Sequence, residues 1–117
     1  MDTVFVYGTL KPGRSRWPAL EAFTVPGSAR ETTLRGRLWE TPYGWPALTD
    51  GADDVPGVLV VLDRLRAADA LARLDAIEGV AVGLFERVRG TTADGCDCWT
   101  YRWPGPTAGF TPVDGAW

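Results

Sequence analysis

An uninterrupted apolar run, VFVY at residues 4–7, opens the chain and stops at Gly8. Continuous β-branched and aromatic residues without a polar alternate mark a strand covered on both faces, predicted here over residues 3–7. Residues 29–39 behave differently. Leu34, Gly36 and Leu38 alternate with Arg35, Arg37 and Trp39, the period of a strand with one wetter face. TPYGWPALTDG reads as turn, short strand and turn, and GVLVVLD at residues 57–63 as a second buried strand. Residues 84–89 and 97–103 form a hairpin around TTADG.

Two stretches carry helical rather than strand periodicity. SRWPALEAF predicts a short helix over residues 15–23, with Pro18 tolerated in its first turn. Residues 67–78 predict a longer one, stopped by Gly79 as its C-terminal glycine. The tail from residue 104 to 117, PGPTAGFTPVDGAW, is rich in Pro and Gly and is expected to be irregular, pinned by Phe110 and Trp117. Short strands with one or two helices point to an α+β fold whose sheet curls toward a barrel. A length of 117 residues with 45% apolar content suits one domain over residues 1–117.

The second helix holds an anomaly. At about 100° per residue from Leu71, Leu74 falls about −60°, Ala67 about −40° and Glu78 about −20° away. Glu78 thus lies on the apolar stripe, and Arg73, Asp69 and Ala76 take the opposite side. It also sits in the last turn, where the negative end of the helix dipole disfavours an anion. Both effects raise a carboxyl pKa, toward the range where the group can exchange protons near neutral pH. The plainer alternatives are an early helix end with Glu78 in water, or an ion pair with Arg87. Asp75, at about 40° on the same wheel, reads as a solvated flank.

Composition narrows the chemistry. The chain has no His, Asn or Gln, so acid–base work falls to Asp, Glu, Tyr, Cys or the single Lys11, which reads as a solvated loop residue. Anion donors must be backbone N–H, hydroxyl, Trp or Arg groups. Cys96 and Cys98 are too few for a metal site without other ligands and read as reduced structural thiols. No metal is expected. A net charge of −3 argues against nucleic acid or an anionic membrane as partner. The longest apolar run, residues 58–62, is far below a membrane span, and the start lacks a signal-like segment; a cytoplasmic location is expected.

The loop after Gly8 imitates a phosphate cradle. GTLKPGRS matches G-x-x-x-x-G-K-[ST] except that Arg14 stands at the lysine position, and Pro12 removes a backbone donor. A smaller reading holds: a strand ending at Gly8 leaves the next N–H groups free of a ladder and able to meet a carboxylate or an oxyanion. The alternative is a tight turn that needs glycine for backbone shape alone.

Tyr7-Gly8-Thr9-Leu10 followed by Leu74-Asp75-Ala76-Ile77-Glu78-Gly79 resembles the γ-glutamylcyclotransferase-like family, and within it the AIG2-like and γ-glutamylamine cyclotransferase branch. GWPAL at 44–48, VPGVLVVL at 55–62, FERVRG at 85–90 and CWTYRW at 98–103 stand in the family's order, and the tail after Pro104 has no placed counterpart. The resemblance implies a curled β-barrel with flanking helices, the YGTL loop and the glutamate facing each other across one cavity.

It also implies a reaction without cofactor on a small-molecule γ-glutamyl amine: the α-amine attacks its own γ-carbonyl, closing 5-oxoproline and expelling the amine. Glu78 would be the general acid/base, and Tyr7, Gly8, Thr9, Leu10 and Tyr101 would bind substrate. Arg87 would be a structural partner, and Phe85 replaces a tyrosine usual in the family, removing one hydroxyl. The protein is expected to be a monomer or homodimer. The competing expectation is a binding module without turnover, with Trp17, Trp39, Trp45, Trp99 and Trp103 lining its groove.

Overall fold

A computed structural model describes residues 1–117. Six strands and two short helices follow in the order β1 (Thr3–Val6), α1 (Trp17–Glu21), β2 (Arg30–Glu40), β3 (Pro46–Val61), α2 (Ala67–Ile77), β4 (Glu86–Thr91), β5 (Asp97–Arg102) and β6 (Thr111–Pro112). All strands join one sheet in the spatial order β4-β5-β1-β3-β2-β6. Only the β1–β5 contact is parallel. The sheet curls until Leu34 of β2 meets Thr92, just past β4, in an isolated antiparallel bridge. The result is the expected α+β half-barrel. No helix is long and apolar enough to cross a membrane.

The curl explains why β1 is apolar on both sides. Phe5 and Tyr7 point into the half-barrel and pack with Leu34, Leu38, Leu48 and Leu59. Val4 and Val6 point outward and are covered by Leu20 of α1 and Ala70 and Leu74 of α2. A central strand between two apolar layers has no solvated face on which to place polar alternates.

The middle of the chain departs from expectation. Instead of turn, short strand, turn and second strand, residues 46–61 form one strand of 16 residues, paired along nearly its whole length with β2. TDGADD carries turn composition, yet two of its aspartates face β2 arginines: Arg35 lies 3.5 Å from Asp54 and Arg37 lies 3.3 Å from Asp53. The turn-like residues survive as a bulge, since the register jumps from Gly36↔Asp53 to Arg37↔Thr49. Pro56 is tolerated because β1 pairs with β3 only at Val58–Val61, leaving the proline at an open edge.

Both helices are shorter than predicted. α1 keeps five residues; α2 ends at Ile77, with Glu78 as its C-cap, and Gly79 follows at φ 65° in the left-handed conformation expected of a terminating glycine. The 104–117 tail contains one short element, β6, which pairs with Trp39 and Glu40 of β2. Trp117 packs against the inner cluster of the half-barrel, its indole N–H donating to Glu40. Phe110 packs on Trp103 at a centroid distance of 5.4 Å. Both cysteines are free, and Cys98 is buried in β5.

Candidate active site

The cavity of interest opens where β1 leaves the sheet. Its volume is about 70 Å³, room for several water molecules. Its wall comes from three places: Tyr7, Gly8, Thr9 and Leu10 at the exit of β1, Ile77 and Glu78 at the end of α2, and Trp45, Pro46, Leu84, Phe85 and Tyr101 opposite. All six residues singled out from the sequence therefore border one space.

The loop is shaped by its carbonyls and not by its amides. Lys11 N–H donates to the Gly8 carbonyl at 3.0 Å, and Arg16 N–H to the Thr9 carbonyl at 2.9 Å. The N–H groups of Gly8, Thr9 and Leu10 meet no acceptor in the chain. Gly8 does not have positive φ; it is glycine for space. A Cβ there would stand 2.7 Å from Cγ of Pro46, so a side chain would push the loop off the β3 wall. The phosphate-cradle pattern has no structural counterpart, since the loop leads into a helix of only five residues.

Glu78 is half-buried on the cavity wall. Burial pushes its carboxyl up to about 7, against the opposing pull of the Arg16 guanidinium. Neither plainer alternative describes it: it does not point freely into water, and Arg87 pairs elsewhere. The Tyr7 phenol is held far above its usual range, first by burial and then by the Glu78 charge. Its hydroxyl donates to the Tyr101 carbonyl at 2.7 Å, so Tyr7 lines the cavity while tying the exit of β1 to β5.

Asp75 corrects the sequence reading. It is no solvated flank: the Tyr101 hydroxyl donates to Oδ1 at 2.8 Å and Arg87 Nε donates to the same oxygen at 2.9 Å. Burial, followed by the bond to Asp75 and the charge of that carboxylate, raises the Tyr101 phenol well beyond its usual range. Tyr101 thus lines the cavity with a hydroxyl already committed to Asp75. Arg87, expected as a structural partner, serves Asp75, and its guanidinium carbon lies over the Trp99 ring, 4.4 Å from the centroid.

Lys11 also departs from the reading. It is only 9% exposed, and Nζ donates to the main-chain oxygen of Trp117 at 2.6 Å. Burial, then the neighbouring Arg14 charge, lowers its pKa. Arg16, at the cavity mouth, was missed because nothing in the helical or strand period distinguishes one exposed loop arginine from another. Of the five tryptophans considered for a groove, Trp45 alone borders this cavity. No group of three or more His, Cys, Asp or Glu converges to hold a metal.

A family model of gamma-glutamyl cyclotransferase, AIG2-like proteins matches residues 4–117, including the tail for which the motif comparison found no counterpart. Sequence comparison with curated proteins yields no match. Among solved structures, an AIG2-like protein from Mus musculus superposes with a TM-score of 0.79 at 19% identity, covering 100% of this chain and 88% of that one. An uncharacterized protein from Pyrococcus horikoshii gives 0.72 at 20% identity, covering 97% and 86%. The ytfP protein from Escherichia coli gives 0.65 at 24% identity, covering 97% and 92%. At these identities the likeness is one of fold. The near full-length match of the family model carries more: the chain belongs to the gamma-glutamyl cyclotransferase, AIG2-like family.

Proposed function

We propose that this chain cyclises the γ-glutamyl group of a γ-glutamyl amine to 5-oxoproline and releases the free amine, with Glu78 as general acid/base. One observation carries the reading: a carboxyl with a pKa raised to about 7 shares a small cavity with three backbone N–H groups that have no partner in the chain. Separately, each feature is an unfavourable local arrangement. Together they supply a proton carrier and an oxyanion receptor.

The steps follow from that pairing. Arg16 at the mouth holds the substrate's α-carboxylate. Ionised Glu78 takes a proton from the α-ammonium, whose nitrogen lone pair then forms a bond to the γ-carbonyl carbon. The carbonyl oxygen gains charge and is met by the N–H groups of Gly8, Thr9 and Leu10; one such donor contributes about 10²–10³ in rate in other acyl-transfer sites. Protonated Glu78 returns its proton to the departing nitrogen as the carbon–nitrogen bond breaks, and the surplus proton left on the ring nitrogen then passes through the same carboxylate to the released amine, giving the neutral lactam and an ammonium. No water is consumed and no cofactor is required. Since attack is intramolecular, holding the glutamyl chain folded removes much of the entropic barrier.

The test is release of 5-oxoproline, followed by mass spectrometry, from γ-glutamyl-ethylamide, γ-glutamyl-benzylamide and ε-(γ-glutamyl)lysine. The parent protein is expected to release it from at least one. Glu78→Gln should lose about 10²–10⁴ in kcat while keeping its circular dichroism spectrum. A parent that binds these compounds without releasing 5-oxoproline, or an active Glu78→Gln protein, overturns the assignment and leaves a binding module.

A further inference from the structure

The chemistry of the amine half can be read from the rest of the cavity. Only two charged residues border it, Arg16 and Glu78. Both are engaged by the glutamyl half, through its α-carboxylate and through the nitrogens that exchange protons. What remains of the wall is Trp45, Pro46, Ile77, Leu84 and Phe85. None of these can answer a charge on the departing group.

The apolar surface also continues outward. Trp45 lies 5.5 Å from Phe85 and 5.9 Å from Trp103 between ring centroids. Trp103 meets Phe110 at 5.4 Å. Tyr43, 62% exposed at the turn between β2 and β3, stacks against Trp45 at 5.2 Å and meets Phe110 edge-on at 6.5 Å. An aromatic ledge therefore runs from the wall of this space of only about 70 Å³ to the surface, a path open to a substituent too large for the cavity itself.

We propose that the substrates are γ-glutamyl conjugates of uncharged, apolar or aromatic monoamines, with the amine substituent lying on the ledge formed by Trp45, Phe85 and Tyr43. The inference rests on the cyclotransferase reading for its chemistry, but the selectivity it assigns belongs to the wall and is measurable without turnover. An amine that carries its own ammonium and carboxylate, as a lysine conjugate does, finds no charged partner on this wall and, with its charges drawn toward water, covers less of the ledge's apolar area. A benzyl or phenethyl group instead buries apolar area and stacks on indole.

The experiment compares γ-glutamyl-benzylamide with ε-(γ-glutamyl)lysine in two arms. In the first, kcat/KM for 5-oxoproline release should favour the benzylamide by about tenfold or more. In the second, titration calorimetry measures binding of the corresponding glutaric acid monoamides, which lack the α-amine and cannot cyclise. The benzyl analogue should again bind about tenfold more tightly. Trp45→Ala should erase the preference. Leu84→Glu, at a position already 38% exposed, should shift it toward the lysine compound without threatening the fold.

Equal or better binding and turnover of the lysine compounds overturns this inference while leaving cyclotransferase activity standing. Tighter binding of the benzyl analogue with no 5-oxoproline from any conjugate supports the selectivity and overturns the reaction. A preference that survives both substitutions places the amine on another wall and overturns the assignment of the ledge.

Discussion

Glu78→Gln should make the protein more stable, and by an amount that depends on pH. In the folded chain burial raises the Glu78 carboxyl from 4.5 to about 7; unfolded, it returns to its ordinary value. Between those two values the folded protein keeps a proton that the unfolded chain releases. Stability contributed by this group is therefore fully present below about pH 4.5 and is lost as pH rises through about 7, after which the difference stays constant. The loss amounts to about 3 kcal/mol, since each tenfold change in proton affinity is worth about 1.4 kcal/mol. Glutamine has the same shape and no titration, so every other carboxylate cancels in the comparison. Urea unfolding of both proteins from pH 4 to pH 9 should show the variant's advantage over the parent growing with pH by about 3 kcal/mol, on the order of 10 °C in melting temperature. A difference that is flat with pH, or that shrinks as pH rises, would mean that the carboxyl is solvated, and the mechanism would lose its proton carrier.

Three further outcomes follow from the same geometry. Because the ionised form of Glu78 begins the reaction, kcat/KM should climb with pH up to about 7 and level above it; a limb centred near 4.5 in a pH–rate profile would contradict the burial argument. Gly8→Ala places a carbon 2.7 Å from Pro46 and must shift the loop amides, so kcat/KM should drop about 10²-fold and chemical denaturation should register a loss of about 1–3 kcal/mol from the overpacking. Asp75→Ala leaves Arg87 and the Tyr101 hydroxyl without their shared acceptor, and chemical denaturation should register a loss of about 1–3 kcal/mol.

How the site could be read in advance differs residue by residue. Glu78 was legible because a carboxylate on an apolar helical stripe, just before a terminating glycine, violates two local preferences at once. The loop amides were legible because β1 has no polar alternates and stops abruptly at Gly8. Asp75 was not. On the helical wheel it is a flank position, and its character comes from Tyr101 on β5 and Arg87 on β4, more than ten residues away in the chain. Arg16 and Lys11 were hidden for the same reason: one gains its role from the cavity mouth and the other from Trp117.

The amino-acid sequence by itself determined which segments must be buried, where α2 ends, and that one acid sits on the wrong side of it. Those are properties of nearest neighbours along the chain, set by periodicity and by glycine's backbone freedom. Tertiary structure alone decided that β3 runs on through its turn-like TDGADD, because pairing with β2 on both sides of the bulge supplies a ladder that local composition cannot reveal. It also decided that Val113 and Trp117 of the tail pack on the inner cluster of the half-barrel and that an aromatic ledge continues from the cavity. Such features depend on contacts between segments far apart in the chain, which no local pattern of hydrophobic and polar residues encodes.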